Sequence, residues 1–288
     1  MLTPKIIALD LDGTLLSTTG EITPYTREQI RSATDNGIAV VISSGRPYTG
    51  IPLKEAKELG IEYAITTNGA AVYRILDNAC LYEDGLSPEL TIDVLSNLPS
   101  SHLHLDVFIE GTAYTQRSTF HIIRHSLILP ESLKNYIITN RMQVDTLLDF
   151  IREKRPTIQK ANMIFEQEAD GSFICRDETN AYLLSRPELS VVCGGYFNLE
   201  FTKAGVTKAK GLRFLCDYLG IPIEASMACG DSENDLDILK AAGLSVAMAN
   251  AENCVKEVCS YVTSSCNEDG VGRAIARFTK EQKQEGQK

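Results

Sequence analysis

Residues 5–14 read KIIALDLDGT, an apolar run that ends abruptly in Asp10, Leu11, Asp12, Gly13 and Thr14. A short run from Lys5 to Leu9 with no polar interruption predicts a strand of the kind that parallel sheets bury on both faces. Carboxylates two residues apart at a strand end can project toward the same side, so Asp10 and Asp12 are expected to converge at the carboxyl edge of a sheet. That edge is where open α/β sheets bind their ligands.

The stretches that follow alternate in period. A helix over Pro24 to Asn36, a strand over Ile38 to Ile42, a helix over Ile51 to Leu59 and a strand over Tyr63 to Ile65 give a βαβαβ order, which implies parallel strands. Thr23 as N-cap, Pro24 at the first helical position and Gly37 just past the end punctuate the first of these helices. The same grammar returns near the other end. Leu212, Leu215, Cys216 and Leu219 recur as on one helical face, closed by Gly220. Met227 to Cys229, Leu244 to Ala247 and Tyr261 to Thr263 then read as strands, with helices over Leu236 to Ala242 and Ala251 to Val258 between them. The expected fold is α/β, a doubly wound and mostly parallel sheet built from both ends of the chain. Between Asp84 and Gly195 the texture becomes α+β, with strands over His102 to Glu110, Thr112 to Gln116, Thr157 to Phe165 and Leu189 to Val192 and a helix over Val144 to Glu153. The expected domains are therefore a core of residues 1–83 and 196–288 and an insertion of 84–195.

Charge and composition narrow the class. The 288 residues carry a net charge of -10, from 38 acidic against 28 basic side chains, and no stretch gathers Lys and Arg into the face that a phosphate backbone requires. Nucleic acid is not expected as a partner on that ground. The eight cysteines are scattered, and a chain of this length needs no disulfide staples, so they are expected as reduced thiols in the cytoplasm. The opening residues have no signal-peptide pattern, and no apolar run is long enough to span a bilayer. The polar tail from Lys280 is expected to fray.

The chemistry sits in four places. A carboxylate can take up a phosphoryl group and split hydrolysis into two easier displacements, which suits Asp10. A second carboxyl must protonate the leaving alkoxide and then deprotonate water, and a raised pKa favours that role, which suits Asp12. Ser43, Ser44, Gly45 and Arg46 follow the second strand, where a hydroxyl and a glycine backbone can hold phosphate oxygens. Gly230, Asp231, Ser232, Glu233, Asn234 and Asp235 follow the strand at Met227 and offer oxygens for a hard cation such as magnesium. Lys208 can supply the fixed positive charge that phosphoryl transfer needs, with Lys203 and Lys210 as competitors. An EF-hand reading of Asp10, Asp12 and Glu21 fails because its sixth position is Leu15 rather than glycine.

DLDGT at 10–14, SSGRP at 43–47, GVTKAKGL at 205–212 and GDSENDLDIL at 230–239 resemble the four motifs of the haloacid dehalogenase superfamily. The long insertion between Asn68 and Lys208 is similar to that of Cof-type phosphatases, which carry a type IIB cap there. The resemblance implies a magnesium-dependent phosphatase that forms an aspartyl-phosphate on Asp10 and acts on a small phosphorylated metabolite, with sugar phosphates the best guess. It makes Asp10, the Asp12 backbone carbonyl and Asp231 the metal ligands and Asp12 the acid/base. It gives Ser44, Lys208 and Asn234 to the phosphate, assisted by the Leu11 and Gly45 backbones, with Asp235 behind them. Arg46 and Asn68 match positions that can reach the substrate. His102, His104 and the segment around Arg117 are candidate cap contacts. A phosphomutase using the same carboxylates, or a phosphate sensor without turnover, are the alternatives. The oligomeric state is not legible.

Overall fold

The computed structural model describes residues 3–99 and 101–279, so the tail expected to fray lies outside the described residues. The chain forms two compact units. The first comprises the described residues up to Gly45, then Pro52–Tyr82, then those from Thr207 onward; the second comprises Arg46–Ile51 and Glu83–Val206.

The first unit begins with β1 (Ile6–Leu9), α1 (Pro24–Asp35), β2 (Ala39–Ser43), α2 (Leu53–Glu58) and β3 (Tyr63–Thr66). All four residues of β1 are buried, as a continuous apolar run requires of a central parallel strand. β2 pairs parallel to β1 with Ile6 opposite Ala39, and β3 pairs parallel to β2. α1 starts as its sequence dictates, with the Thr23 side chain accepting from the Thr26 amide. β4 (Ala71–Arg74) then runs antiparallel to β3, and β5 (Ala79–Glu83) follows it.

The second unit carries α3 (Pro88–Ser96), β6 (Leu103–Ile109), β7 (Thr112–Gln116), α4 (Phe120–His125), α5 (Glu131–Thr139), β8 (Met142–Val144), α6 (Leu147–Lys154), β9 (Lys160–Phe165), α7 (Arg176–Leu184), β10 (Leu189–Cys193) and β11 (Leu199–Lys203). Among the described residues these strands form a six-stranded sheet in the order β10-β11-β9-β6-β7-β8, antiparallel except for the β7–β8 pair. The insertion is thus α+β. The boundary expected at Gly195 falls between β10 and β11, which pair along their whole length, so residues 199–203 belong to this sheet. Arg46–Ile51 groups with the same unit, its Thr49 amide donating to the Gly111 carbonyl at 2.9 Å.

The chain re-enters the first unit with α8 (Lys208–Leu219), β12 (Ser226–Gly230), α9 (Leu236–Ala241), β13 (Leu244–Ala247), α10 (Asn253–Val258), β14 (Tyr261–Val262) and α11 (Gly270–Thr279). Its sheet, eight-stranded among the described residues, runs β14-β13-β12-β1-β2-β3-β4-β5, and β12 pairs parallel to β1 with Ser226 opposite Ile6. Successive strands move away from β1 on one side and from β12 on the other. The order therefore reverses between β1 and β12, and the carboxyl ends of those two strands frame the crevice where a doubly wound sheet binds its ligand. Among the described residues no helix is long and apolar enough to cross a membrane.

Candidate active site

Asp10 leaves β1 as its amide donates to the Cys229 carbonyl of β12, which carries the parallel pairing one residue past the strand. This sets Asp10 at the reversal point, and its side chain is buried. From β12 the chain turns through Asp231 and Ser232, whose amides both donate to Asp235 Oδ2, at 3.1 and 3.2 Å. The turn thus curls around the Asp235 carboxylate and brings Asp231 back toward β1. Asp10, Asp231 and Asp235 each offer an oxygen within 4.8 Å of the others.

One cation answers these charges directly. Lys208, at the first position of α8 and only 1% exposed, places Nζ 2.6 Å from Asp10 Oδ1 and 2.6 Å from Asp235 Oδ1. Thr207 caps that helix, its side chain accepting from the Lys210 amide. Lys203, a competitor in sequence, instead pairs with Asp84 in the second unit. Burial would lower the Lys208 pKa, but Asp10 and Asp235 more than offset this and raise it, so the ammonium stays charged. Asp10 is pushed the other way. Burial first, and the Asp235 charge next, raise its pKa well above the usual carboxylate range despite Lys208. Burial also pushes Asp231 up to about 6, against the lowering effect of the Thr14 hydroxyl, which donates to its Oδ1 at 2.9 Å.

Three carboxylates gathered around one ammonium, two of them (Asp10 and Asp231) held at raised pKa by burial, are short of positive charge, and their donors are all hard oxygens. A divalent cation of the magnesium type fits that donor set. Gly13 allows the close approach of the two loops, since a Cβ there would stand 2.4 Å from Asp231 Oδ2. Asn250 steadies the same loop by donating to the Gly13 carbonyl at 2.8 Å. Sequence reasoning did not single out Thr14 as a partner of Asp231, nor Asn250, which no local pattern marks.

The remaining expected residues divide. Leu11 is buried, whereas Asp12 is exposed and lies in a loop that forms a bridge to Leu16, so it does not join the buried carboxylates. Ser44 is buried at the end of β2, its amide bonded to the Ile65 carbonyl and its carbonyl accepting from the Asn68 amide; Gly45 follows it. Asn68 stands in a tight turn after β3 with φ 58°, and its Oδ1 accepts from Asn234 at 3.4 Å. Ser232 in turn donates to Asn234 Oδ1 at 2.9 Å. Arg46 belongs to the second unit, where Nη1 donates to the Gly50 carbonyl at 3.1 Å and the guanidinium stacks on Tyr136. His104 is fully buried between Thr119 and Asp106, and His102 pairs with Glu166 at 2.9 Å, so both have structural partners.

The profile of the haloacid dehalogenase-like hydrolases matches residues 7–275. The chain belongs to that family. It is 31% identical over 275 residues to 5-amino-6-(5-phospho-D-ribitylamino)uracil phosphatase YcsE of Bacillus subtilis (strain 168), covering 95% of each chain. A crystal structure of a haloacid dehalogenase-like hydrolase from Bacteroides thetaiotaomicron superposes with a TM-score of 0.77 at 27% identity, over 96% of this chain and 99% of that one. The subclass IIB sugar phosphatase BT4131 shares the fold, with a TM-score of 0.76 at 24% identity over 95% and 98% of the two chains. The family member described here is a phosphoric monoester hydrolase with a Cof-type, cap-bearing fold.

Proposed function

We propose that the protein hydrolyses small phosphate monoesters, sugar phosphates foremost, with magnesium and through a phosphoryl group carried transiently on Asp10. The observation that carries this reading is the buried cluster of Asp10, Asp231 and Asp235 around Lys208 Nζ, at the reversal point of the sheet. A structural ion pair needs one carboxylate per ammonium. The surplus of negative charge here makes sense when a cation and a substrate complete the balance.

Magnesium would be held by the Asp10 and Asp231 carboxylates and the Asp12 backbone carbonyl. When bound it supplies the positive charge that keeps Asp10 ionised and offsets its repulsion of a phosphate dianion. Asp10 then attacks phosphorus as the ester oxygen departs, and Asp12 delivers the proton that oxygen requires. Asp12 next takes a proton from water, which attacks the phosphoryl group and frees Asp10. Ser44, Lys208 and Asn234, with the Leu11 and Gly45 amides, bind phosphate oxygens; Asp235 holds Lys208 and the Asp231 turn in place. Arg46 and Asn68 are candidate substrate contacts. All eight cysteines are free thiols, which supports a reducing, cytoplasmic setting.

The test is phosphate release from a panel of esters with magnesium and with excess chelator. Wild-type protein should turn over several esters only with the metal. Asp10→Asn, nearly isosteric, should lose about a thousandfold or more in kcat while melting at a similar temperature. Rearranged ester without free phosphate would indicate a mutase, and tight binding without turnover a sensor.

A further inference from the structure

The segment between β1 and α1, which carries Asp12, is tied to a turn near the other end of the chain, and all the residues involved belong to the first unit. Asn250 Nδ2 donates to the Gly13 carbonyl at 2.8 Å. Asn267 Oδ1 accepts from the Thr18 amide at 3.0 Å and from the Thr18 hydroxyl at 3.1 Å, and the Thr23 hydroxyl donates to Asp269. The turn that supplies Asn267 and Asp269 is braced within itself. Ser265 and Glu268 form a capping box, the Gly270 amide donates to the Ser265 carbonyl at 3.0 Å, and Arg273 Nε donates to the Glu268 carbonyl at 2.9 Å.

Asn250 joins that turn to Gly13 with both ends of its amide in use. Its Oδ1 accepts from the Cys266 amide at 2.9 Å, so Nδ2 is the atom turned toward Gly13 and the carboxamide has one orientation. Its backbone is anchored just upstream, where the Met248 amide donates to the Gly230 carbonyl at 3.1 Å and the Ala249 amide to the Ser264 carbonyl at 3.3 Å. Gly13 is bounded on another side by Asp231, whose Oδ2 would stand 2.4 Å from a Cβ placed there. Asp12 is the residue before. It is exposed, so packing does little to aim it, and the direction its carboxyl takes follows the backbone that carries it. Burial first, then the Asp235 and Asp12 carboxylates, raise the Asp231 pKa, so the Asp12 charge lies within electrostatic reach of the cluster.

We propose that Asn250 is a positioning residue for proton delivery: by holding the Gly13 carbonyl it aims the Asp12 carboxyl at the departing ester oxygen. This rests on the phosphatase reading above, in which Asp12 supplies that proton. The Asn250 bond to Gly13 is exposed, and water can take the place of the amide as donor, so without Asn250 the carbonyl stays satisfied but the turn loses its fixed direction. The two consequences differ in size. One exposed hydrogen bond contributes little to stability, whereas a misplacement of about 1 Å in the reacting groups can cost on the order of a hundredfold in rate. Asn267 and Asp269 tie the segment further along, at Thr18 and Thr23, and hold it without touching the Asp12 turn.

The experiment compares p-nitrophenyl phosphate with phenyl phosphate, two esters of similar shape, by kcat/KM with magnesium, which reports the step in which the leaving group departs. Nitrophenoxide leaves with little help from a proton; phenoxide, whose acid titrates near 10 as tyrosine does, needs more. In Asn250→Ala the ratio of the first kcat/KM to the second should rise at least about threefold over wild type, with a melting temperature within about 4 °C. Asn250→Asp keeps the shape and the Cys266 contact but sets an acceptor against the Gly13 carbonyl, and should raise the ratio at least as much; its added charge acts on both esters alike. Asn267→Ala should leave the ratio unchanged. Both esters are measured on one preparation, so partial unfolding cancels and a merely structural role would not move the ratio. An unchanged ratio in either Asn250 variant overturns the proposal. So does an equal rise in Asn267→Ala, which would assign the effect to the rigidity of the whole segment. Wild-type protein that releases phosphate from neither ester would instead sink the phosphatase reading, and the role of Asn250 with it.

Discussion

Lys208 shows how one side chain joins fold to chemistry. Its ammonium is enclosed between Asp10 and Asp235 at 2.6 Å from each, and removing one member of a buried ion pair costs far more than the pair itself contributes. Lys208→Met should therefore lower the stability of the metal-free protein by about 3–5 kcal/mol, read from urea unfolding in chelator, and abolish phosphate release. A loss under about 1 kcal/mol would mean that the two carboxyls simply take up protons in its place. Sequence could mark Asp10 and Asp231, because each ends a strand that its own neighbours define. Local pattern could not choose among Lys203, Lys208 and Lys210, and only the family resemblance singled out Lys208, because charge and spacing alone do not say whether a lysine enters the core or pairs at the surface with Asp84, as Lys203 does.

At the scale of elements, the turn after β3 decides where α8 begins. Gly69 has φ 97°, and a Cβ there would fall 2.0 Å from the Thr207 carbonyl oxygen and 2.9 Å from the Lys208 amide. Both the backbone region and the space exclude a side chain. Gly69→Ala should cost at least about 1–3 kcal/mol and, by displacing the first turn of α8, should also depress kcat; melting curves and ester turnover check the two parts. An unchanged melt would show that the turn can yield. Most elements were legible: β7 and β13 have the bounds their alternation and apolar runs imply. β8 was not, being three residues with two exposed, and neither was β11, which lies beyond the apparent end of the insertion and is drawn into its sheet by pairing with β9 and β10.

Over the whole molecule, buried carboxyls couple stability to pH and to metal. Asp231 sits at about 6 against an ordinary value near 3.8, so its contribution is fully present below pH 3.8 and is lost as pH rises through about 6; Asp10, also raised, acts in the same direction. Asp106 acts oppositely. Burial would raise its pKa, but Arg141 and His104 hold it well below the usual range, so its contribution is present above 3.8 and fades only in stronger acid. A cation that binds the ionised carboxylates relieves the first penalty and leaves the contribution of Asp106 alone. The rise in melting temperature caused by magnesium should accordingly be larger at pH 7 than at pH 5, by calorimetry with metal against chelator. Equal rises at both values would remove Asp231 from the metal set. The sequence by itself determined the alternating α/β order, the insertion and the residues at the strand ends, because each of these is written in a few neighbouring side chains. Only the tertiary structure decided that Asp235 joins Asp10 and Asp231 and that Arg46–Ile51 groups with the second unit. Those facts depend on which distant strands pair and on how closely their turns approach, and no local pattern of residues encodes either.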